Sequence, residues 1–424
     1  MKKTVVVGAG VIGLLCAYEI RRRGGDVSVI DKGEPGGACS LANTGWVVPS
    51  FSSPLPGPVK LRPTLKWMLG VDSPVSIRPS AVPSMASWLW QFWRHCNSRD
   101  HAAGLAAVTI LNRHTIELYD AIRADGVDFE MHDSGVLCAF MTRGGYERAL
   151  AGFYAIDEAH GIEIHELKGA SLMVKEPALS DDVVGGILIA GERHLRPETL
   201  NAGLVDWLER SGVEITTGVE VLGVTQDGLA VNGIETTAGH IAADVLVLAT
   251  GAWSGRLARE LGFQLPMQAL KGYTITIDAP AVKLRGPVFF PEKRVVASPF
   301  EGALRLGGGM ELSGFNADQN PRRLAAIRRV GEAFFPGCFD GGSQTEWMGM
   351  RPVTPDGLPV IGRAPNFDNV YVATGHAMLG VTLGPATAAA VADFVLAGHT
   401  GIPVAPFDPA RFVKPRRKYA EPGG

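Results

Sequence analysis

The stretch Thr4-Val5-Val6-Val7-Gly8-Ala9-Gly10-Val11-Ile12-Gly13, continued by a helical run to Arg23 and by Val27-Ser28-Val29-Ile30-Asp31, decides the fold. Residues 4–7 and 27–30 are short apolar strands, and the segment between them carries apolar side chains at helical spacing. In Gly8-x-Gly10-x-x-Gly13 the first glycine permits a tight turn, the second lets the backbone approach a pyrophosphate, and the third lets helix and strand pack closely. Asp31, with Lys32 beside it, follows Gly13 by 18 positions, near the spacing of about 20 at which an acid accepts hydrogen bonds from an adenosine ribose. Strand, loop, helix and acid together predict an α/β chain that binds a dinucleotide. They do not separate NAD from FAD, because both carry the same ADP half.

Working outward, 424 residues with 46% hydrophobic content can bury a large core, and the length favours two or three domains. Forty Lys and Arg against 43 Asp and Glu give a net charge of -3, so there is no electrostatic case for nucleic acid. Cys16, Cys39, Cys96, Cys138 and Cys338 are scattered, without the spacing of a zinc site, and read as free thiols in a reducing compartment. Met1-Lys2-Lys3 leads at once into the first strand, leaving no room for a secretory leader, and no run approaches the roughly 18 apolar residues of a spanning helix. A cytoplasmic location is expected, with peripheral attachment to the inner face of a membrane left open.

Pro, Ser and Gly between Asn43 and Arg62 predict a long irregular loop over a site. A Trp-rich helix (Trp88, Trp90, Trp93) follows; its aromatic residues are compatible with a partner or membrane surface, although packing in the interior is the expected use. Helices are expected over Leu105 to Arg123, Pro197 to Arg210 and Pro321 to Phe334, and a buried strand over Asp244 to Thr250. Ala269 to Ile277, Val288 to Phe290, Val295 to Ser298 and Leu304 to Gly308 alternate and turn like an antiparallel sheet. A Rossmann-like domain interrupted by a second, α+β domain with a mostly antiparallel sheet accounts for this order. The boundaries are residues 1–80, 195–265 and 345–412 for the first, 81–194 and 266–344 for the second, and a solvated tail from 413 to 424.

Two further segments bear on the cofactor. Ala249-Thr250-Gly251-Ala252-Trp253-Ser254 resembles the Ala-Thr-Gly turn of two-domain FAD oxidoreductases. Near the C-terminus, Gly349-Met350-Arg351-Pro352-Val353-Thr354-Pro355-Asp356-Gly357 precedes Gly375-His376-Ala377-Met378-Leu379-Gly380 and a helix expected from Pro385 to Ala397. The positive end of that helix would face a flavin ring where reduction gathers negative charge. Arg351, locked before a proline, reads as an anion clamp.

These segments, with Ser40-Leu41-Ala42-Asn43-Thr44-Gly45, Leu65-Lys66-Trp67-Met68, Ile77-Arg78-Pro79, Lys271-Gly272-Tyr273 and residues 307–315, are where the chain resembles the D-amino-acid oxidase superfamily. Within it the resemblance runs to the small subunit of bacterial D-amino-acid dehydrogenase, over nearly the whole length. It implies a GR2-type FAD-binding domain and noncovalent FAD. Besides Gly8, Gly10, Gly13, Asp31 and Lys32, the implied cofactor residues are Val11, Ile12, Ser40, Asn43, Thr44, Gly45, Val221, Thr250, Gly251, Trp253, Gly375, Met378, Leu379, Gly380, Val381 and Thr382. It implies that Arg351 pairs with the substrate carboxylate, that Tyr273 lies over the substrate pocket and that His376 sits beside the flavin. No metal is implied.

The implied reaction is oxidation of a small D-amino or D-imino acid by hydride transfer from the α carbon to flavin N5, then hydrolysis of the imine to a 2-oxo acid. Electrons would pass to a quinone or respiratory acceptor. D-hydroxyproline or D-proline dehydrogenation, a glycine or sarcosine oxidase, and a flavin-binding subunit of a heteromeric complex are the alternatives. An NAD-linked dehydrogenase belongs to a different class. Two departures matter: Met378 stands where glycine oxidases often place a second Arg, and Val295 to Ser298 contains no Tyr. Arg351 is then the one fixed charge expected on the substrate, and Met378 and Trp46 predict an apolar pocket for uncharged side chains.

Overall fold

The apolar run at the N-terminus forms the strand Lys3–Val7 inside a six-stranded sheet. The structure, a computed structural model, describes residues 2–58, 75–160 and 162–413. Leu65-Lys66-Trp67-Met68, the end of the Pro-rich loop up to Arg62, and the tail from Lys414 lie outside the described residues.

The sheet runs in the order Ile215–Thr216, Asp26–Ile30, Lys3–Val7, Val245–Leu248, Val370–Thr374, Val360–Arg363. All neighbours are parallel except the last pair. Val7 pairs with Ile30 on one side and Leu248 on the other, so three strands end at one level. Their carboxyl ends carry Gly8, Asp31 and Thr250, at the edge where open α/β sheets bind ligands. Both faces are covered, as a parallel sheet requires. Val6, Val29 and Val247 meet the helix Val11–Arg22 and the helix Gly380–Ala397 on one face, while Val5, Leu246 and Val372 meet Ile234 and Leu257 on the other.

The C-terminal helix begins at Gly380, not at Pro385, and contains the proline. Pro385 has no N–H to give the carbonyl of Val381. The Tyr119 hydroxyl donates to that carbonyl at 2.7 Å, and the Thr115 hydroxyl donates to the carbonyl of Thr382 at 2.9 Å. This helix also corrects the expectation about apolar runs. Its 18 residues have a mean hydropathy of 1.5, long and apolar enough to cross a membrane by those measures, yet 67% of that window is buried inside the fold.

A nine-stranded sheet faces the first. Its order is Gln344–Val353, Gln268–Asp278, Ala303–Leu312, Val295–Phe300, Val288–Phe290, Val136–Phe140, Gly185–Ile189, Ile164–Leu167, with Val75–Ile77 alongside Ala303–Leu312. Most pairs are antiparallel, but Val288–Phe290 with Val136–Phe140 and Ala303–Leu312 with Val75–Ile77 are parallel, so the sheet is mixed. Three expected boundaries move. Val75–Ile77 and Gln344–Val353 join this sheet, and the helices Ser98–Leu111 and Thr115–Ala124 pack their Val108, Leu111 and Tyr119 into the core of the first domain.

Those two helices replace the single one expected over Leu105 to Arg123. The break falls at buried Asn112, whose side-chain amide donates to the carbonyl of Pro49 at 2.8 Å. Pro197–Arg210 and Pro321–Phe334 start at their prolines, where a missing N–H is harmless. In the Trp-rich helix Val82–His95, Trp88 is buried, whereas Trp90 and Trp93 are 56% and 58% exposed, unlike the expected interior packing. All five cysteines are free.

Candidate functional site

Between the two sheets lies a continuous cavity of about 1870 Å³, lined from Asp31 at one end to Arg351 at the other. A small-molecule site usually measures roughly 300–1,000 Å³. This one has room for an extended dinucleotide and a substrate.

At the nucleotide end the glycine loop is set by steric exclusion. A Cβ on Gly13 would lie 1.8 Å from the Gly8 carbonyl oxygen, and one on Gly8 would lie 2.5 Å from that of Ala249. A Cβ on Gly10 would meet only the Ser40 hydroxyl, at 3.3 Å, so that side of the loop opens onto the cavity. Gly13 itself is a packing residue behind the lining. Asp31 accepts from the N–H groups of Ala9 at 2.6 Å and Gly33 at 2.8 Å, which fixes its carboxylate against the loop. Lys32 lies 4.8 Å from the centre of the Trp253 ring, and the two line the same rim with Val221.

Ser40 accepts from the Val11 N–H at 3.0 Å, at the start of the first helix. Ile12, Asn43 and Thr44 line the cavity, whereas Gly45 turns away from it. Gly45 has φ +69°, and a Cβ there would sit 1.8 Å from the Leu195 carbonyl. A hydroxyl chain that the sequence did not reveal supports the Thr250–Gly251 turn. Thr250 meets Ser254 at 3.0 Å, Ser254 donates to Thr374 at 2.8 Å, and Thr374 donates to the Gly251 carbonyl at 3.1 Å.

The two C-terminal segments are docked on each other. The Ala377 N–H donates to the Pro352 carbonyl at 2.9 Å, and His376 bridges Val353 in antiparallel fashion. Gly375, Met378, Leu379, Gly380 and Val381 line the cavity, and no side-chain cap closes the start of the helix at Gly380. Its positive end therefore faces the cavity. Thr382 is buried behind, donating to the Trp46 carbonyl at 3.1 Å and accepting from the Val48 N–H at 3.2 Å. His376 contributes to the lining, but its Nε2 is engaged with the Thr387 hydroxyl at 3.0 Å. Burial pulls its pKa down to about 3, so the ring is neutral at ordinary pH.

Arg351 projects from the strand Gln344–Val353 over its neighbour Gln268–Asp278. A Cβ on Gly272 would lie 2.1 Å from Nη2, so only glycine there leaves room for the guanidinium. Nη1 donates to the Gly309 carbonyl at 3.1 Å. Among the described residues no carboxylate forms a salt bridge with it, and burial draws its pKa down from the ordinary value. A half-buried cation facing a cavity without a protein counter-ion among the described residues is suited to an anionic ligand. Cys39 is close enough to feel its field, yet burial still pushes the thiol up to about 11.

A match to the family model for FAD dependent oxidoreductases, DAO, covers residues 3–394. The chain belongs to the DAO family. It is 30% identical over 421 residues to the D-amino acid dehydrogenase of Xanthobacter autotrophicus, covering 97% of this chain and 99% of that one. It is 32% identical to the D-amino acid dehydrogenase of Rhodopseudomonas palustris over 403 residues, covering 92% and 93%. Among solved structures it resembles glycine oxidase from Geobacillus kaustophilus with TM-score 0.78 and 23% identity, over 97% of this chain and 99% of that one.

As a DAO-family enzyme the chain uses FAD, and the cavity fits the cofactor. The open glycine loop, Asp31 and the uncapped helix at Gly380 are spread along one continuous space. Two expectations about the substrate end need correction. Tyr273 does not lie over the pocket. Its neighbours Gly272 and Thr274 line the cavity, so strand alternation sends Tyr273 to the other face, where it packs with Ile275, Phe290 and Leu306. Nor is Arg351 the one cation there, because Arg294 also lines the wall. Arg294 is 57 positions upstream of Arg351. It sits at the end of the turn before Val295–Phe300, next to the Val295–Gly308 pair.

Proposed function

We propose that this DAO-family enzyme is a D-amino-acid dehydrogenase, oxidising its substrate at the α carbon to an imine that water converts to a 2-oxo acid. The observation that carries the reading is Arg351, a half-buried guanidinium that lines the cavity of the glycine loop and has no salt-bridge partner among the described residues. Its planar fork suits the α-carboxylate of an amino acid better than an ammonium would. The names of the two bacterial relatives support the same substrate class. When bound, FAD supplies the acceptor for the α-hydrogen, taken as hydride.

The chain's own groups orient and desolvate. Arg351 holds the carboxylate, the glycine at 272 keeps that cation flat against the strand, and the helix start at Gly380 favours negative charge on whatever lies before it. No protein base is assigned. His376 is neutral, with Nε2 held by Thr387, so its role is to fix the turn. The amine must therefore arrive neutral from solvent, and kcat/KM should rise with pH through the pKa of the substrate amine. Cofactor attachment is noncovalent on this reading, because the cavity thiol Cys39 stays protonated. A quinone-type acceptor takes the electrons.

The test is anaerobic titration of the purified flavoprotein with D- and L-amino acids and both prolines, followed by the flavin absorbance. D-Amino acids should bleach the flavin and their enantiomers should not. Bleaching by the L-series, or by none of the panel, would overturn the reading. Substituting Arg351→Met should raise KM by about 100-fold, the ~3 kcal/mol scale of a lost buried charge pair, with flavin retained. Rapid peroxide formation in air would instead support an oxidase.

A further inference from the structure

One short loop is gripped from the opposite sheet at three successive peptides. The Thr274 hydroxyl donates to the Ala42 carbonyl at 3.0 Å, Nη1 of Arg305 to the Asn43 carbonyl at 2.8 Å, and the Ser298 hydroxyl to the Thr44 carbonyl at 2.8 Å. The three side chains come from adjacent strands, Gln268–Asp278, Ala303–Leu312 and Val295–Phe300. Gly307 lets the loop lie close on them, since a Cβ there would stand 2.5 Å from Cγ2 of Thr44. At its other end the loop meets the glycine loop, where Ser40 accepts from the Val11 N–H at 3.0 Å. It therefore runs from the nucleotide end of the cavity to the sheet that carries Arg351.

In a trans peptide the carbonyl and the following N–H point in opposite directions. With the carbonyls of residues 42–44 turned into the sheet, the N–H groups of Asn43, Thr44 and Gly45 point away from it. Gly45 donates to Oδ1 of Asn43 at 2.8 Å. The N–H groups of Asn43 and Thr44 have no acceptor among the described residues, and both residues line the cavity. Backbone donors in a folded interior are rarely left unpaired, so a ligand in the cavity is the partner these two await.

Arg305 joins the grip to the rest of the fold. It is 1% exposed, on a strand between Thr276 and Ser298. Its Nε donates to the Thr276 hydroxyl at 2.9 Å, Nη1 also reaches Oε2 of Glu198 at 3.3 Å, and Nη2 bonds Oε1 of the same carboxylate. Its guanidinium carbon lies 5.1 Å from the centre of the Phe300 ring. Glu198 is in the first turn of Pro197–Arg210, where the helix end favours an acid. An ion pair alone would need only two groups. The Asn43 carbonyl is a third partner, and a planar fork of donors serves all of them where a lysine would not.

We propose that Arg305 is a positioning residue for the cofactor, holding the Asn43 peptide, with Glu198 as its counter-ion, so that the N–H groups of Asn43 and Thr44 are fixed towards FAD. The inference rests on the use of FAD and not on the choice of substrate, so it stands or falls apart from the D-amino-acid reading.

The experiment compares holoenzyme of the wild type with Arg305→Met, Arg305→Lys and Glu198→Gln. It measures flavin retained on dilution, amide hydrogen exchange of residues 40–46, and kcat and KM per bound flavin. Arg305→Met should speed exchange in that segment by about 30-fold, weaken FAD binding by about 30-fold, and lower kcat by about 10-fold. KM should stay within about twofold, because Arg351 is untouched. Arg305→Lys should restore only a small part of these losses. Glu198→Gln leaves the buried guanidinium in place and guards against a folding failure of the Met variant; it should move every readout the same way by about 5-fold. A merely structural role predicts lower melting with residues 40–46 no more affected than the rest of the sheet, and that result would overturn the proposal. Unchanged flavin retention, or a rise in KM with kcat intact, would overturn it too. If no amino acid of the panel reduces the flavin, the functional reading fails, and exchange and flavin retention still decide the role of Arg305.

Discussion

The two ends of the cavity are built by opposite means. The nucleotide end is made of neighbours in sequence, Gly8 to Gly13 and then Asp31, and its shape is enforced by backbone against backbone. The other end is assembled from Gly272, Gly309 and Arg351, each on a different strand and brought together by sheet register. Backbone collisions cannot relax, whereas the tip of a long side chain can move. Substitutions at the two ends should therefore fail differently, the first by losing the cofactor and the second by losing affinity for substrate.

The largest effect is expected at Gly13. A Cβ there meets a carbonyl oxygen at 1.8 Å, so Gly13→Val must push the first helix away from the loop. Overpacking costs of ~3 kcal/mol correspond to flavin retention weakened by about 100-fold. The flavin-to-protein absorbance ratio after gel filtration measures it, and a full complement of FAD would break the comparison. Gly272→Ala comes next. The new methyl would stand 2.1 Å from the Arg351 guanidinium, the far end of a flexible side chain, so the fold and the flavin should survive while Arg351 is displaced. KM should rise by about 10-fold, or ~1.4 kcal/mol, with little change in flavin content. Loss of flavin in this variant would mean that the two ends are not separable.

The same contrast explains what the sequence could and could not reveal. A Gly-x-Gly-x-x-Gly loop with its acid is legible because its function follows from spacing along one strand, one turn and one helix. Pro321–Phe334 and Pro197–Arg210 were legible because proline marks a helix start, and the same rule misplaced the last helix, where the Tyr119 hydroxyl satisfies the Val381 carbonyl that Pro385 leaves open. Arg351 was legible through its proline-flanked segment. Arg294 was not, because nothing local to a turn between two strands says which cavity it faces. The hydroxyl chain from Thr250 through Ser254 to Thr374 was hidden for the same reason, as it crosses between two strand ends.

A smaller effect concerns Glu192, which supports the wall between the two ends. It is buried and accepts from the N–H of Ser50, a lining residue, at 3.0 Å. Burial pushes its carboxyl up to about 8, so the folded protein keeps a proton that the unfolded chain releases above the ordinary carboxylate range. Stability from this group is present at low pH and is lost as pH rises towards about 8. His376 and His194 have the opposite sign: burial lowers them to about 3 and about 4, so stability falls as pH drops below the ordinary histidine range. Glu192→Gln should remove a fall in stability of up to ~1.4 kcal/mol per pH unit between the ordinary carboxylate range and about 8, and leave the profile below that range as it was. Parallel profiles for the variant and the wild type would sink the assignment.

The smallest effect should come from Tyr273, where the resemblance and the geometry disagree. Lys271-Gly272-Tyr273 is a recognisable segment, and a tyrosine within it invites a substrate role. Yet side chains on a strand alternate, and Gly272 has to face the cavity because Arg351 lies over it. Tyr273 must then face away, and it is fully buried among Ile275, Phe290 and Leu306. Removing a buried hydroxyl that has no hydrogen-bond partner among the described residues relieves its desolvation, so stability should stay within ~1 kcal/mol of wild type or rise. In Tyr273→Phe, KM and kcat should stay within about twofold of wild type, since an opposite-face residue can reach the substrate only by shifting the strand. A KM rise comparable to that of Gly272→Ala, with unchanged melting, would show that the strand presents its other face to the substrate. Arg351 would then need a different account of its place over Gly272.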